Sequence, residues 1–360
     1  ELSFTKIPDK WENDKLDEKW IKLFKIKQVA NIAIEEKRTN KEIGSSLEAE
    51  IKLTTNTKDF ELLEGLDLEE IDLGTFVTWF PRDFVRQLKF LNMCGNLGDP
   101  IVAKDTLEIF RYLRETNPEM TLQMHTNGSG RNKEWWQQLA QLKVKVVFGI
   151  DGLPDTHSLY RINTNWEKII NNASAFIHVG GDARWDMLVF AHNEHQVDDC
   201  EKMSKQLGFK GFSIKHTTRF KDGKFDVLDD NYNITHTLLP SSKSLEMIEP
   251  AKQAMQEILP TITCKAKQDN QMYISANGNV SPCCWLDLEW IPQHSAQRID
   301  YMVKIGKFPN LHKQSLKEIF DSNFFNKISS CWTSTGIKEC SKQCGNFDKL
   351  NAQFERKEHV

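Results

Sequence analysis

The 360-residue chain is 39% hydrophobic and 27% charged, with a formal net charge of −4. That length accommodates two or three domains and that apolar content a buried core. The mild acidity argues against a nucleic-acid surface spread over the whole chain. No apolar run reaches about 18 residues, which excludes a membrane-spanning helix, and the charged opening ELSFTKIPDKWEND has no signal-peptide core, so the expected location is the cytoplasm.

From Leu16 to Lys37 the spacing predicts one helix. Leu16, Trp20, Leu23, Phe24, Ile26, Val29, Ala30 and Ala33 form a broad apolar stripe among Lys and Glu. RTNKEIGSSLEAEIKLT then turns, starts a short helix and passes into a strand. After residue 71 helices and strands alternate. FPRDFVRQL predicts a helix and KFLNMCG a strand; AKDTLEIFRYLRET a helix and TLQMHTNG a strand; NKEWWQQLAQL a helix and KVVFGIDG a strand. NWEKIINNASAFIHVG, WDMLVFAHN, DDCEKMSKQLG and GFSIKHT continue the alternation. This pattern predicts right-handed βαβ units and a parallel sheet. The strands end at Gly95, Asn127-Gly128, Asp151-Gly152, His192-Asn193 and His216-Thr217, and parallel α/β sheets carry their chemistry at such ends. Cys94, Cys200 and Trp135-Trp136 read as core. His125, His157, His192 and His216 read as hydrogen-bonded structure before catalysis. The expected organisation is a mainly helical segment 1–70, an α/β region 71–225, a connecting segment 226–261, a cysteine-bearing region 262–346 and a tail 347–360.

Six of the eight cysteines lie between Cys264 and Cys344. In a chain without a secretion signal, such a cluster reads as metal binding before disulfides. MYISANGNVSPC reads as a hairpin with Asn277-Gly278 as a type I′ turn, which returns Cys283 towards Cys264. In ECSKQCG one helical turn places Cys340 and Cys344 on one face. Thiolate-rich sites select iron–sulfur clusters or zinc, so a non-catalytic scaffold with structural zinc stays open. Cys264, Cys283, Cys340 and Cys344 are the expected ligands. Cys284 faces away from Cys283 by strand alternation, and Cys331, beside Trp332, reads as packed.

Residues from about 72 to 346 resemble the radical S-adenosylmethionine (SAM) enzymes that carry a SPASM or twitch auxiliary-cluster domain. CGNLGDP is similar to that family's GGEP-type motif, with Gly95, Gly98, Asp99 and Pro100 in place and Asn96 and Leu97 as spacers. HTNG, with Asn127, resembles the next strand end. FGIDG resembles the strand end where the family places a polar residue on the SAM ribose, here Asp151. The Cys-x13-Gly-x4-Cys unit from Cys264 through Gly278 to Cys283 is similar to the SPASM/twitch signature, and SLKEIFDSNFFNKI also fits. The resemblance implies an α/β fold, an incomplete radical SAM-type (β/α) partial barrel followed by a SPASM/twitch domain. It implies SAM held at Gly95, Gly98, Asp99, Pro100, Asn127 and Asp151, an auxiliary 4Fe–4S cluster, and radical modification of a peptide or small metabolite. The chain departs from the family at one point: the CxxxCxxC motif that holds the SAM-cleaving cluster occurs nowhere in it. Weak or absent SAM binding and no radical catalysis are the implied consequences.

The residues before 71 resemble another family. A W…L…W opening, the long helix and Lys41-x-IGSSLEA, with FELLEGLDLEE to about residue 70, are similar to the C-terminal, anticodon-binding region of isoleucyl-tRNA synthetase. The join near residue 70 implies a chimera. No HIGH or KMSKS catalytic signature accompanies this segment; EKMSKQLG lies on a helix of the other region. The resemblance therefore implies at most a tRNA contact through Lys22, Lys25, Lys27, Lys37, Arg38 and Lys41, with Glu35, Glu36, Glu42 and Glu48 diluting the charge.

Overall fold

A computed structural model of the chain describes residues 14–40, 71–95, 98–217, 220, 223–228, 233–247, 262–287, 305–306, 308–332, 337, 340–341, 344–345 and 354–359. The chain divides into two compact units, 1–69 and 70–360. In the first unit, α1 runs Asp14–Thr39, enclosing the predicted 16–37. Of its apolar stripe, Trp20 and Val29 are exposed, and Leu23, Ile26 and Ala30 are half-buried. The IGSSLEA stretch and its predicted strand lie outside the described residues. No described helix is long and apolar enough to cross a membrane.

The second unit opens with two short helices, α2 (Leu73–Trp79) and α3 (Arg82–Val85). Asp72 caps α2 by accepting from the Thr75 N–H, and Phe76 and Trp79 are buried. The α/β alternation follows: β1 (Phe90–Met93), α4 (Thr106–Thr116), β2 (Thr121–Thr126), α5 (Lys133–Gln141), β3 (Val144–Gly149), α6 (His157–Tyr160), α7 (Trp166–His178), β4 (Ala183–Val189), α8 (Val197–Leu207) and β5 (Gly211–His216). Strands β1 to β5 pair in parallel, each with its successor in the chain, in registers such as Met93↔Met124, Phe148↔Trp185 and Asp186↔Ser213. A strand order that never reverses is the winding of a (β/α) barrel, not of a doubly wound sheet. With right-handed crossovers, α4, α5, α7 and α8 then share one face of the sheet.

That face holds the core. Leu122, Met124, Val146, Phe148, Trp185, Met187 and Phe212 from the strands pack with Phe110, Leu113, Trp136, Leu139 and Phe176 from the helices. Each such side chain contributes about 1.5–3 kcal/mol by leaving water. Cys200, fully buried on α8, belongs to the same cluster, and Trp135 and Trp136 stack edge to face in it. Cys94 is half-buried at the end of β1.

The segments expected as a connection and a tail contain strands. Within the tail expected over 347–360, Phe354–Glu358 forms β10, antiparallel to β5 with Phe354 opposite Lys215. FERKE lacks apolar alternation; the ladder to β5 holds it to the sheet edge, flanked by the Arg184–Glu358 ion pair at 2.5 Å and by Lys357 on Glu201. In the expected connecting segment 226–261, β6 (Phe225–Leu228) and β7 (Ile234–Leu238) form a hairpin. Its Val227 and Leu238 are buried with Phe190.

The cysteine-bearing region contains α9 (Lys265–Gln268), a two-stranded ribbon of β8 (Tyr273–Ile274) and β9 (Val280–Ser281), α10 (Leu316–Asp321) and α11 (Phe324–Ser330). The ribbon's turn is not type I′. That geometry needs positive φ at both central residues, and here Gly278 has φ +79 while Asn277 does not share the left-handed region. Gly278 N–H donates to Ser275 O, and Ser275 N–H to Asn279 O, which makes a three-residue loop ending in a left-handed glycine. The neighbours also require glycine here: a Cβ on Gly278 would stand 2.9 Å from the His312 ring and 3.1 Å from Trp79.

Candidate cofactor sites

At the end of β1 the chain turns at Gly95, whose φ is +64; a Cβ there would stand 2.5 Å from the Gly98 carbonyl. Only glycine fits this turn. Asn96 and Leu97 lie outside the described residues. Gly98 follows in an open position, and Pro100 accepts at its carbonyl from Thr106 Oγ1, 2.5 Å. Asp99 ties β1 to β2. Its Oδ2 accepts from Thr126 Oγ1 at 3.0 Å and Asn127 N at 2.7 Å, and its Oδ1 from Ile101 N at 3.1 Å. Burial raises its pKa against the pull of those hydrogen bonds. Asn127 Oδ1 in turn accepts from the Ser129 N–H and hydroxyl. Gly95, Gly98, Asp99, Pro100 and Asn127 therefore meet in one turn cluster at the ends of β1 and β2.

Asp151, after β3, is 1% exposed. Its Oδ2 accepts from Arg161 Nε and its Oδ1 from Leu188 N, both at 2.6 Å. Its N–H donates to His157 Nδ1 at 3.1 Å. The His157 proton therefore sits on Nε2, which donates to Thr164 Oγ1 at 3.2 Å. Burial pushes the His157 pKa down to about 4, against the Asp151 charge. Asp151 is thus a buried hub, and the group it presents at the strand ends is Arg161. The guanidinium lies where a Gly149 side chain would be, 2.6 Å from that glycine's ideal Cβ position, and interacts electrostatically with Asp99. Its two terminal NH2 groups have no hydrogen-bond partner among the described residues. A carboxylate acceptor and a guanidinium fork side by side suit the ammonium and carboxylate of an α-amino acid.

The sequence reading missed Arg161, and also the face of the sheet turned away from the helices. By strand alternation Gln123, His125, Lys145, Arg184, Asp186, Ser213 and Lys215 share that face. Gln123 Nε2 lies 3.0 Å from His125 Nε2, and Lys215 pairs with Asp186. Burial and Lys215 lower the His125 pKa, and Asp186 opposes them. The signal was available: a parallel strand buried on both faces reads as a continuous apolar run, whereas TLQMHT and ARWDMLV alternate. Of the other edge histidines, His192 stacks on Phe190 with its Nε2 buried and unpaired among the described residues, and His216 Nδ1 faces Ser241 Oγ at 3.3 Å.

The expected cysteine ligands come as two pairs. Cys264 caps α9; the adjacent Thr263 N–H donates to the Cys344 carbonyl at 3.0 Å, and the Cys344 thiol is raised by burial and by Cys264. Cys283 and Cys340 share a small apolar cluster with Leu286, Phe324, Ile328 and Ile337, against which Cys331 and Trp332 also pack. Burial, then Cys284 and Cys340, push the Cys283 thiol up to about 12. A thiolate there needs nearby positive charge, which bound iron or zinc supplies. All eight cysteines are free thiols. Among the described residues no three His, Cys, Asp or Glu side chains converge as ligands of one ion.

Residues 264–345 match the family model of SPASM, an iron–sulfur cluster-binding domain. This SPASM segment spans the Cys-x13-Gly-x4-Cys unit and both later cysteines. The second resemblance is also met. The isoleucine–tRNA ligase of Pelagibacter ubique is 46% identical over 68 residues, 19% of this chain, and that of Bartonella henselae 40% identical over 76 residues. The matched length is close to that of segment 1–70. The chain spans 8% of the length of either ligase. Among solved structures, the SAM-bound SuiB of Streptococcus suis is 14% identical, with TM-score 0.46, covering 81% of this chain and 66% of SuiB. AdoMet-bound anSMEcpe is 15% identical, with TM-score 0.44, covering 73% of this chain and 74% of that one.

Proposed function

We propose that residues 71–346 are a radical SAM/SPASM-type protein that keeps an auxiliary iron–sulfur cluster and does not cleave SAM. The observation that carries the reading is the SPASM match over residues 264–345, which contains Cys264, Cys283, Cys340 and Cys344. Cys264, Cys283, Cys340 and Cys344 would hold the 4Fe–4S cluster, whose chemistry is electron transfer.

At the strand ends, the Gly95–Pro100 turn and Asp99 would take the ammonium of SAM and Arg161 its carboxylate. Asp151 acts by fixing Arg161. SAM binding is weak, because the chain supplies no CxxxCxxC cluster to chelate it. The polar sheet face, with Gln123, His125, Asp186 and Lys215, would meet the peptide or small metabolite that such enzymes modify. On α1 the basic Lys22, Lys25, Lys27, Lys37 and Arg38 share the helix with Glu18, Glu35 and Glu36, which dilute the charge offered to a tRNA backbone. Segment 1–70 is read as the remnant of a chimeric join.

Anaerobic iron reconstitution of the full chain tests the reading. One brown cluster, about four irons per chain, and no 5′-deoxyadenosine from SAM are expected. Iron for two clusters, or deoxyadenosine release, overturns the loss of SAM cleavage. A colourless, zinc-loaded chain overturns the auxiliary cluster.

A further inference from the structure

Trp332 follows Cys331 at the end of α11 and packs against the apolar cluster that contains Cys283 and Cys340. Its Nε1 is buried and has no hydrogen-bond partner among the described residues. A buried donor left unmet costs about 1–3 kcal/mol, and indole N–H groups usually find an acceptor when buried. Trp136, Trp166 and Trp185 do so here, on the carbonyls of Gly130, Gly152 and Ile150. The cluster it packs against is made of apolar side chains and Cys340, and Cys283 and Cys331 pack against the same cluster. On its other side the ring lies under Lys267 Nζ, 5.7 Å from the ring centroid. Lys267 belongs to α9, the helix that Cys264 caps. The indole is thus bracketed by the elements that carry Cys264, Cys283 and Cys340.

We infer that Trp332 Nε1–H donates a hydrogen bond to a sulfur of the auxiliary cluster and raises its reduction potential, with Lys267 as a second positive group over the same ring. The inference rests on the cluster reading above. Sulfur carries more negative charge in the reduced cluster, so an N–H donor stabilises that state more than the oxidised one, and hydrogen bonds to sulfur are among the groups that set cluster potentials. Trp332 is a positioning and tuning residue and holds no iron itself.

The test is Trp332→Phe in the reconstituted full chain, which keeps the packed ring and removes the donor. Expected are unchanged iron per chain and a reduction equilibrium about tenfold less favourable, a downward shift of about 59 mV for a one-electron couple. Electron–nuclear double resonance on the reduced wild-type cluster is expected to show a coupled exchangeable proton that the variant lacks. Unchanged iron with an unchanged potential overturns the inference. So does loss of iron in Trp332→Phe alone, which would make the indole a packing element. A wild-type chain that takes up no iron sinks the cluster reading itself, a result distinct from either.

Discussion

Asp151 and Trp332 are both polar side chains set in buried surroundings, and the chain treats them oppositely. Asp151 has both oxygens met by Arg161 and Leu188, its N–H by His157 and its carbonyl by Asn193. Trp332 has a buried N–H with no described acceptor, among thiols of which Cys283 is pushed up to about 12. The strand-end region has a large apolar core behind the sheet, and its strand ends are tied to each other by Asp99 and Asp151. The cysteine region is divided: Val280, Leu311, Leu316 and Ile319 join the large core, while Cys340 lies in a separate cluster of a few side chains. A cluster that small stabilises little on its own, so the stability of the part around it is expected to depend on what its thiols bind.

The largest effect that can break this contrast is on iron. Cys264→Ala, Cys283→Ala, Cys340→Ala and Cys344→Ala are each expected to abolish bound iron after reconstitution, whereas Cys284→Ala and Cys331→Ala retain it. Iron counted per chain is the measurement. Retention in any of the first four removes that residue from the ligand set.

Next comes Phe148→Ala, which removes a fully buried ring from between Trp136, Phe176 and Phe209. The expected cost is about 3–5 kcal/mol in denaturant unfolding of the α/β region. That cost should be the same with and without iron. A cost that falls when iron is removed would show that the two regions do not hold their stability separately.

These regions also differ in how far the sequence disclosed them. The strands β1 to β5 and their helices were legible because most helix-facing residues, such as Val146, Phe148, Trp185 and Met187, are apolar and the turns between them are marked. The cysteine spacing was legible for the same local reason. Three features were not. β10 is held by its ladder to β5 and flanked by ion pairs to residues such as Arg184, far away in the chain, and FERKE has no pattern of its own. The turn at Gly278 is decided by Trp79 and His312, which no local dipeptide rule includes. Arg161 lies ten residues beyond Asp151, and its place over Gly149 follows from the hydrogen bonds of a buried carboxylate.

pH offers a smaller and more specific lever on the strand-end region. His157 is neutral when folded, because its Nδ1 accepts the Asp151 N–H and burial holds its pKa near 4, below the 6.5 of an unperturbed histidine. The unfolded chain therefore binds the extra proton first as pH falls. The stability linked to His157 is fully present above about pH 6.5 and is lost progressively down to about pH 4. A shift of this size corresponds to about 3 kcal/mol. His157→Gln is expected to flatten the stability profile between pH 4 and 6.5. An equally steep profile in the variant would assign that dependence to other groups.

The smallest expected effect lies where the two regions touch. Gly278 holds the β8–β9 loop at φ +79, a conformation that costs an L-residue about 1–2 kcal/mol. Its α-carbon also approaches two rings. The added methyl of Gly278→Ala would stand 2.9 Å from His312, which is exposed and can yield, and 3.1 Å from Trp79, which is buried against the sheet's helical layer and cannot. Strain and contact push the same way, so a loss of about 2 kcal/mol is expected. It should appear in the cysteine region and leave the unfolding of the α/β region close to wild type. Because the loop joins the strands between Cys264 and Cys283, the substitution should also speed iron loss to a chelator without changing the iron bound at saturation. Adding Trp79→Phe, which trims the ring at the contact, should restore part of the stability that Gly278→Ala removes. If the double variant is no more stable than the sum of the single ones, the Trp79 contact does not shape the loop, and backbone strain alone accounts for the glycine.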